Sequence, residues 1–340
     1  MTFEFYEKHF RAKAVKSGFS EDDIQRCLAY AQPLIERDLP VIYNTANLCA
    51  LVGYRKNYLK RAALFTSYFY RTFKIKKKSG SLREIKEPLP SLKEIQIWIL
   101  NNILYQIRVS KFAKAYVPDR NIIDNVRFHR NKVKVLSLDI KNFFSSIKRI
   151  DVEKIYRDVG YSSNVANLLS KLCCCDEILP QGAPTSPYLS NIYLIKFDNY
   201  IAAYCQQKDI RYTRYADDMI FSGVFDEEPL IKLASHELAK IGLAMNLEKT
   251  KVMRQNNRQM VTGVVVNKSL QLPKEQREKI RQEVYYIERF GLSDHLKWTE
   301  NNKANYIKHL LGKINYGLTL NPNDKDLKEY RSFISMFLEI

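Results

Sequence analysis

The stretch RYTRYADDMIFSG (residues 211–223) sets two aspartates, Asp217 and Asp218, side by side in a segment that otherwise reads as strand. Adjacent carboxylates repel, and strand interiors disfavour them. A tight Ala216-Asp217 tip between RYTRY and DMIFSG predicts a hairpin that carries both acids at its end. A third carboxylate, Asp139, closes the strand-like run KVKVLSLDI (132–140). Alternation there sends Leu136, Leu138 and Ile140 to one face, and Val135, Ser137 and Asp139 to the other. If the strands pair in one sheet, the three carboxylates converge. Sites rich in carboxylate oxygen suit hard divalent cations such as Mg²⁺, which keep water and substrate phosphate as further ligands. Two such ions ~4 Å apart serve phosphoryl transfer by activating the attacking hydroxyl and stabilising the leaving oxygen. Nucleotidyl transfer and nuclease chemistry both fit, and spacing alone does not separate them.

Charge supplies the substrate class. The 340 residues carry 55 Lys/Arg against 37 Asp/Glu, a net +18. Residues 55–149 hold 23 basic and 6 acidic residues, a surplus of 17, whereas residues 151–271 hold 14 of each. Excess charge confined to one segment points to a bound polyanion, and its interleaving with aromatics (YRKNYLKRAALFTSYFYRTFKIKKKSG) favours nucleic acid over anionic lipid. The first residues, MTFEFYEKHFRAKAV, lack the apolar core of an export leader, and no run reaches the ~20 apolar residues that span a bilayer. A cytoplasmic protein with no membrane attachment is expected. Of six cysteines, three are contiguous (Cys173 to Cys175) and none forms the spaced pair of a zinc site, so they read as reduced core residues.

The elements that position these groups follow from pattern. Residues 1–70 read as helical. FKIKKK and LREIKEP, joined through Ser79-Gly80, predict a basic hairpin. Ser91 and Glu94 predict a capping box before a helix whose Leu92, Ile95, Ile99 and Ile103 share one face. LPQGAPTSPYLSNIYLIKFDNYI (179–201) begins as a proline-punctuated loop and turns helical, with Ser186 as N-cap, Pro187 at the first position, and Leu189, Ile192, Tyr193 and Phe197 as its buried stripe. A turn-and-strand pair, LAMNLEKTKVM and QMVTGVVVN, comes next, and residues 273–340 return to helix.

These blocks, in this order, resemble the reverse transcriptases. YADD between two short hydrophobic strands resembles their catalytic box. It follows the basic KKKSGSLREI hairpin, VLSLDIKNFFSSI and LPQGAPTSPYLSNIYL, and precedes NLEKTKV, VTGVVVN and LLGKINYGLTLNP, covering roughly residues 72–322. NVRFH (Asn125 to His129), with Val126 in place of the usual alanine, and VTG (Val261 to Gly263) resemble the two markers of bacterial retron enzymes. The close of the chain soon after the last block is expected to set it apart from longer group II intron proteins. The alternatives are another bacterial reverse transcriptase (group II intron, diversity-generating or abortive-infection type) or an RNA-binding scaffold restraining an effector.

The resemblance implies an α+β right-hand polymerase. Its parts would be an N-terminal helical region (1–70), fingers (71–138), a palm of antiparallel sheet with packed helices (139–272, with 150–180 contributing to the fingers) and a helical thumb (273–340). It implies catalytic and metal-binding roles for Asp139, Asp217 and Asp218, with the Ile140 backbone as a further ligand of a two-metal Mg²⁺ site. Lys77 or Lys78, with Arg83, would grip the nucleotide's triphosphate. Phe144 would lie beneath the incoming sugar and block a 2′-hydroxyl, Gln181, Gly182 and Ala183 would line the nucleotide pocket, and Lys249 would donate a proton to departing pyrophosphate. Tyr215, Thr262, Gly263, Asn125 and His129 would serve primer and template. The implied partners are deoxynucleotides, a structured noncoding RNA acting as template and primer, the RNA–DNA product, and a separate effector protein in anti-phage defence. DNA synthesis would start from an internal guanosine 2′-hydroxyl.

Overall fold

The computed structural model describes residues 2–76, 80–298 and 305–338. Helices Phe3–Lys16, Glu21–Ile35, Thr45–Val52 and Lys56–Leu64 fill the N-terminal region, as the helical pattern predicts. The first two pack on each other through Ala14, Ile24 and Leu28 with Phe3, Tyr6 and Phe10, in a small core of their own. Strands β1 (Tyr70–Lys76) and β2 (Leu82–Pro88) form the expected basic hairpin, paired from Tyr70↔Pro88 to Lys76↔Leu82. The helix after it runs Pro90–Asn102 with Leu92, Ile95 and Ile99 buried. The expected capping box is absent: Pro90 occupies the first helical position, which places Ser91 inside the helix, and Glu94 accepts from the Tyr54 hydroxyl instead.

Strands β3 (Lys134–Asp139), β4 (Arg211–Tyr215), β5 (Asp218–Gly223) and β6 (Lys251–Arg254) make the central sheet, in the order β4-β5-β3-β6 with every pair antiparallel. Its two faces feed two cores. Leu136, Leu138 and Ile140 join the larger one, which also takes the Pro90–Asn102 helix, the helices Arg149–Asp158 and Ser163–Cys173, and all three contiguous cysteines. Val135 and Ile220 join the other, built with the C-terminal helices Lys274–Phe290, Tyr306–Leu320 and Lys325–Ser335. The alternation read from β3 is therefore the division between two cores, with Asp139 at the end of the strand.

The proline-rich loop leads into helix Ser186–Tyr193, with Thr185 rather than Ser186 in the N-cap position and no side-chain cap bond, and then into a second helix, Ile195–Gln207. A two-residue turn, Thr262-Gly263, joins β7 (Met260–Val261) and β8 (Val264–Val265). Val261, Val264, Val266, Leu270 and Leu272 share a core with the C-terminal helices, so this hairpin is buried by the helical unit expected to begin at residue 273. Among the described residues no helix is long and apolar enough to cross a membrane.

Candidate active site

Pairing of β3 with β5 sets Asp139 directly opposite Asp218, and pairing of β4 with β5 sets Tyr215 opposite Asp218 across the Ala216-Asp217 tip. The Ile140 N–H donates to the Asp217 carbonyl at 3.1 Å, which ties the end of β3 to the turn itself. Three carboxylates from two distant segments thus meet at one end of the sheet. Their crowding has an electrostatic signature. Burial, then the charges of Asp217 and Asp139, push the Asp218 carboxyl up to about 6. Burial and Asp139 also raise Asp217, while Lys249 and Arg83 pull it down. The Lys249 ammonium donates to both oxygens of Asp139, at 3.0 and 2.9 Å, and so offsets part of that negative charge.

Ala216 adopts a left-handed conformation (φ 59), which costs a non-glycine residue ~1–2 kcal/mol. A fully buried arginine beneath it supplies the restraint. Arg214 donates from Nη1 to the Ala216 carbonyl at 2.9 Å and to Asn191 at 3.0 Å. Its Nε and Nη2 grip both oxygens of Asp198, at 2.8 and 2.7 Å, and Tyr212 adds its hydroxyl to the same carboxylate. Sequence reading missed this assembly. Arginine and aspartate are seldom fully buried unless paired, and nothing local in the sequence pairs Arg214 with Asp198.

The NVRFH segment is placed around that hairpin. Asn125 and His129 are fully buried, which leaves them no surface for primer or template; the expected contact is replaced by a hydrogen-bonded chain. Thr213 Oγ1 donates to Asn125 Oδ1 at 2.6 Å, so His129 Nε2 donates to Thr213 at 2.7 Å and its Nδ1 accepts from Ser222 at 2.7 Å. Burial, reinforced by Lys132, drives the imidazole pKa down to about 3, which keeps the ring neutral. Asn125 Nδ2 then donates to Thr262 Oγ1 at 3.1 Å. The two short marker motifs touch each other.

Residues 75–281 match the family model for reverse transcriptase (RNA-dependent DNA polymerase). The retron Ec83 reverse transcriptase of Escherichia coli is 31% identical over 278 residues, 74% of this chain and 83% of that protein. The chain belongs to the retron reverse transcriptases. It is also 27% identical to the retron Ec86 reverse transcriptase of Escherichia coli, over 87% of this chain and 89% of that one. With the retron Mx65 reverse transcriptase of Myxococcus xanthus it shares 33% identity, over 76% of this chain and 62% of that one. The protein is an RNA-directed DNA polymerase with the mixed helix-and-sheet polymerase fold of that family.

The other expected site residues of this reverse transcriptase fall around the carboxylates in varied ways. Phe143 enters the core, whereas its neighbour Phe144 stays half-buried with its ring 6.5 Å from that of Tyr116. Tyr116 was not singled out from sequence. It is left-handed (φ 61), and burial followed by the charge of Asp217 raises its hydroxyl pKa, so it borders the same acidic group. Arg83 on β2 is exposed and acts electrostatically on both Asp217 and Tyr116. Lys77 and Lys78 lie outside the described residues.

The Gln181 carbonyl accepts from the Lys86 N–H at 2.9 Å, docking the loop on β2, and Ala183 is buried. Gly182 (φ +129), expected to line the nucleotide pocket, lies against β2. A Cβ there would stand 2.8 Å from both Ile85 Cγ2 and the Lys86 carbonyl oxygen.

Among the described residues no three His, Cys, Asp or Glu side chains converge tightly enough to hold a metal ion as they stand. The donor set is nonetheless of the kind that hard divalent cations take: two half-buried carboxyls raised first by desolvation and then by neighbouring carboxylate charge, with Asp139 beside them engaged by a lysine. Mg²⁺ commonly binds through only one or two carboxylates and fills its remaining positions with water and phosphate oxygens. The residues present fit such an ion arriving with its nucleotide.

Proposed function

We propose that this polymerase copies part of a structured noncoding RNA partner into DNA, starting from an internal guanosine 2′-hydroxyl and leaving a branched RNA–DNA product. The observation that carries the reading is the placement of Asp139 opposite Asp218, beside Asp217, in a chain of the retron family. Asp139 and Asp217, helped by the Ile140 backbone and Asp218, would hold Mg²⁺, which neutralises charge on the phosphates and lowers the pKa of the attacking hydroxyl.

The chain's own residues do the rest. Arg83 presents a fork suited to triphosphate oxygens above the carboxylates. Gln181, Gly182 and Ala183, clamped to β2, form one wall of the nucleotide site, and Phe144 forms the floor that rejects a 2′-hydroxyl. The hydroxyl passes its proton to solvent water, its oxygen attacks the α-phosphorus, the bond to the bridging oxygen breaks, and Lys249 gives a proton to the departing pyrophosphate. Tyr215 and the Thr262-Gly263 turn hold the primer end. The fingers, palm and thumb are read as residues 71–138, 139–272 and 273–340. Cytoplasmic location, an effector partner and anti-phage defence complete the proposal, supported by the basic segment and by the retron names of the relatives.

The test is to express the protein with its flanking genomic DNA and examine the nucleic acid that copurifies. A DNA that shortens on RNase treatment and retains a branched RNA nucleotide supports the whole reading. DNA without the branch removes the priming claim. Bound RNA with no DNA, and no extension when primer and deoxynucleotides are added, favours the scaffold alternative.

A further inference from the structure

The outer edge of the central sheet carries a cavity that the polymerase chemistry does not use. Strand β4 is the edge strand, and residues 112–114 pair along it: Arg214 N–H donates to the Phe112 carbonyl at 2.8 Å, and Lys114 N–H donates to the Arg214 carbonyl at 2.7 Å. Arg120 fixes that segment by donating to the carbonyls of Ser110 and Ala113. Between this strap, helix Ile195–Gln207 and residue Phe128 lies a cavity of about 370 Å³. It is lined by Arg211 to Thr213 of β4, whereas the carboxylates stand beyond the Tyr215 end, so the two sites lie toward opposite ends of the strand.

The lining is cationic and aromatic. Lys111, Lys114 and Arg211 face it with Phe112 and Phe128, and Asp209 is its acidic member. Arg211 reaches Asp209 only at 4.0 Å, with both side chains exposed, a contact of little strength. Among the described residues Lys111 and Lys114 have no carboxylate within ion-pair distance. Lys114 stacks over the Phe128 ring at 5.3 Å and Arg127 over the same ring at 4.9 Å, so one phenylalanine holds two cations near the opening. Lys114 is half-buried; burial, then Arg120, Arg127 and Lys111, disfavour its charged form, and Asp124, which also pairs with Arg127 at 3.4 Å, offsets part of that. Like charges gathered on a rigid strap, only partly compensated by Asp124 and Asp209, mark a place where an external anion lowers the energy.

From this geometry we infer that the cavity between the 111–114 strap, Phe128 and Arg211 is a second nucleic-acid site, which seats phosphodiester groups of the RNA partner away from the polymerase centre. The inference rests on the RNA-partner reading above. Its volume lies within the ~300–1,000 Å³ of small-ligand pockets, enough for a sugar-phosphate unit. The sequence gains a physical logic as well. In NVRFH the residues Asn125, Val126 and His129 point into the core, whereas Arg127 and Phe128 are exposed and face the cavity side. One five-residue segment thereby serves the inner hydrogen-bond chain and the outer cation cluster.

The experiment compares the full chain with Lys111→Ala/Arg211→Ala, two exposed positions whose loss leaves the core intact, and separately with Lys114→Gln. The probes are a labelled transcript of the gene's flanking DNA and an unrelated RNA of equal length. Loss of two phosphate contacts is expected to weaken transcript binding about tenfold at 0.15 M salt and to reduce the slope of log K against log salt by about 2. DNA synthesis on poly(rA)/oligo(dT) should stay within about twofold, since neither residue approaches the carboxylates. Binding within twofold of wild type with an unchanged slope overturns the inference and leaves the cavity to an acidic protein segment. Should the wild type not prefer the transcript over the unrelated RNA, the partner reading fails, and the cavity is then judged by the same two quantities on the unrelated RNA.

Discussion

The side-chain amide of Asn125 donates to the hydroxyl of Thr262 at 3.1 Å across 137 residues of sequence, and the acceptor sits in a conformation that threonine seldom adopts. Thr262 and Gly263 have φ of 45 and 84, the two positive values of the tight hairpin turn that joins β7 to β8. Glycine takes such a position freely, whereas a β-branched residue is strained there by ~1–3 kcal/mol. The bond from Asn125, itself held by Thr213, fixes the turn against the catalytic hairpin.

Asn125→Ala should therefore cost ~1–3 kcal/mol in a urea melt, because Thr213 loses its acceptor in a sealed site. A double-mutant cycle with Thr262→Val should show a coupling of ~0.5–3 kcal/mol. Effects that simply add would mean that the bond holds nothing. On the proposed primer role, KM for primer–template should rise more than KM for the nucleotide.

Asp217→Asn should reduce DNA synthesis by about 1,000-fold or more, as expected when several kcal/mol of charge stabilisation are lost. The same change should raise Tm in chelator, since it removes a half-buried charge that Asp139 repels. Primer extension and a thermal melt on one preparation read both effects. Retained synthesis would remove Asp217 from the catalytic set.

The raised Asp218 carboxyl gives the metal-free protein a signed pH dependence. Its folded value of about 6 exceeds the ordinary 3.8, so the folded state binds the extra proton between those limits. The associated stability is fully present below about pH 3.8 and is lost as pH rises through about 6. In EDTA, the difference in Tm between wild type and Asp218→Asn should widen in favour of the variant over that window. Excess Mg²⁺ should narrow it, because a bound cation favours the ionised carboxylate. A difference that is flat with pH would show that Asp218 does not titrate there.

Arg214→Met leaves Asp198 charged and buried with only Tyr212 as partner, so a loss of ~3–5 kcal/mol is expected in denaturant. Arg214→Met/Asp198→Asn should regain part of it. Activity should remain depressed in the double variant, since the Ala216 carbonyl has lost its clamp.

Gly182→Ala forces a Cβ to within 2.8 Å of the β2 backbone in a region of φ that alanine disfavours. The expected result is a loss of ~1–3 kcal/mol and a rise in nucleotide KM as the loop lifts from β2. Unchanged KM with lowered stability would confine Gly182 to a structural role.

The Ala216-Asp217 tip, the placement of Asp139 at the end of β3, and the buried faces of Leu92, Ile95 and Ile99 were all legible in the sequence. Each depends on period-two or period-3.6 patterning and on turn chemistry within a few residues. The family blocks added the meeting of Asp139 with the hairpin, a relationship that alternation alone left conditional. Ser91 misled because a capping pattern lost to the proline just before it. Gly182 was expected to line the nucleotide pocket; its close approach to β2 was not legible, because it depends on how the loop docks.

Pattern and turn chemistry reach only local features: which residues form the strands, where the acidic turn falls, and which segment carries the excess charge. Tertiary structure decided the partners. Arg214 with Asp198, Asn125 with Thr262, and Phe128 with Lys114 are joined by sheet order and core packing. None of these pairings follows from propensity, because a buried polar group must be satisfied by whichever group the topology brings to it.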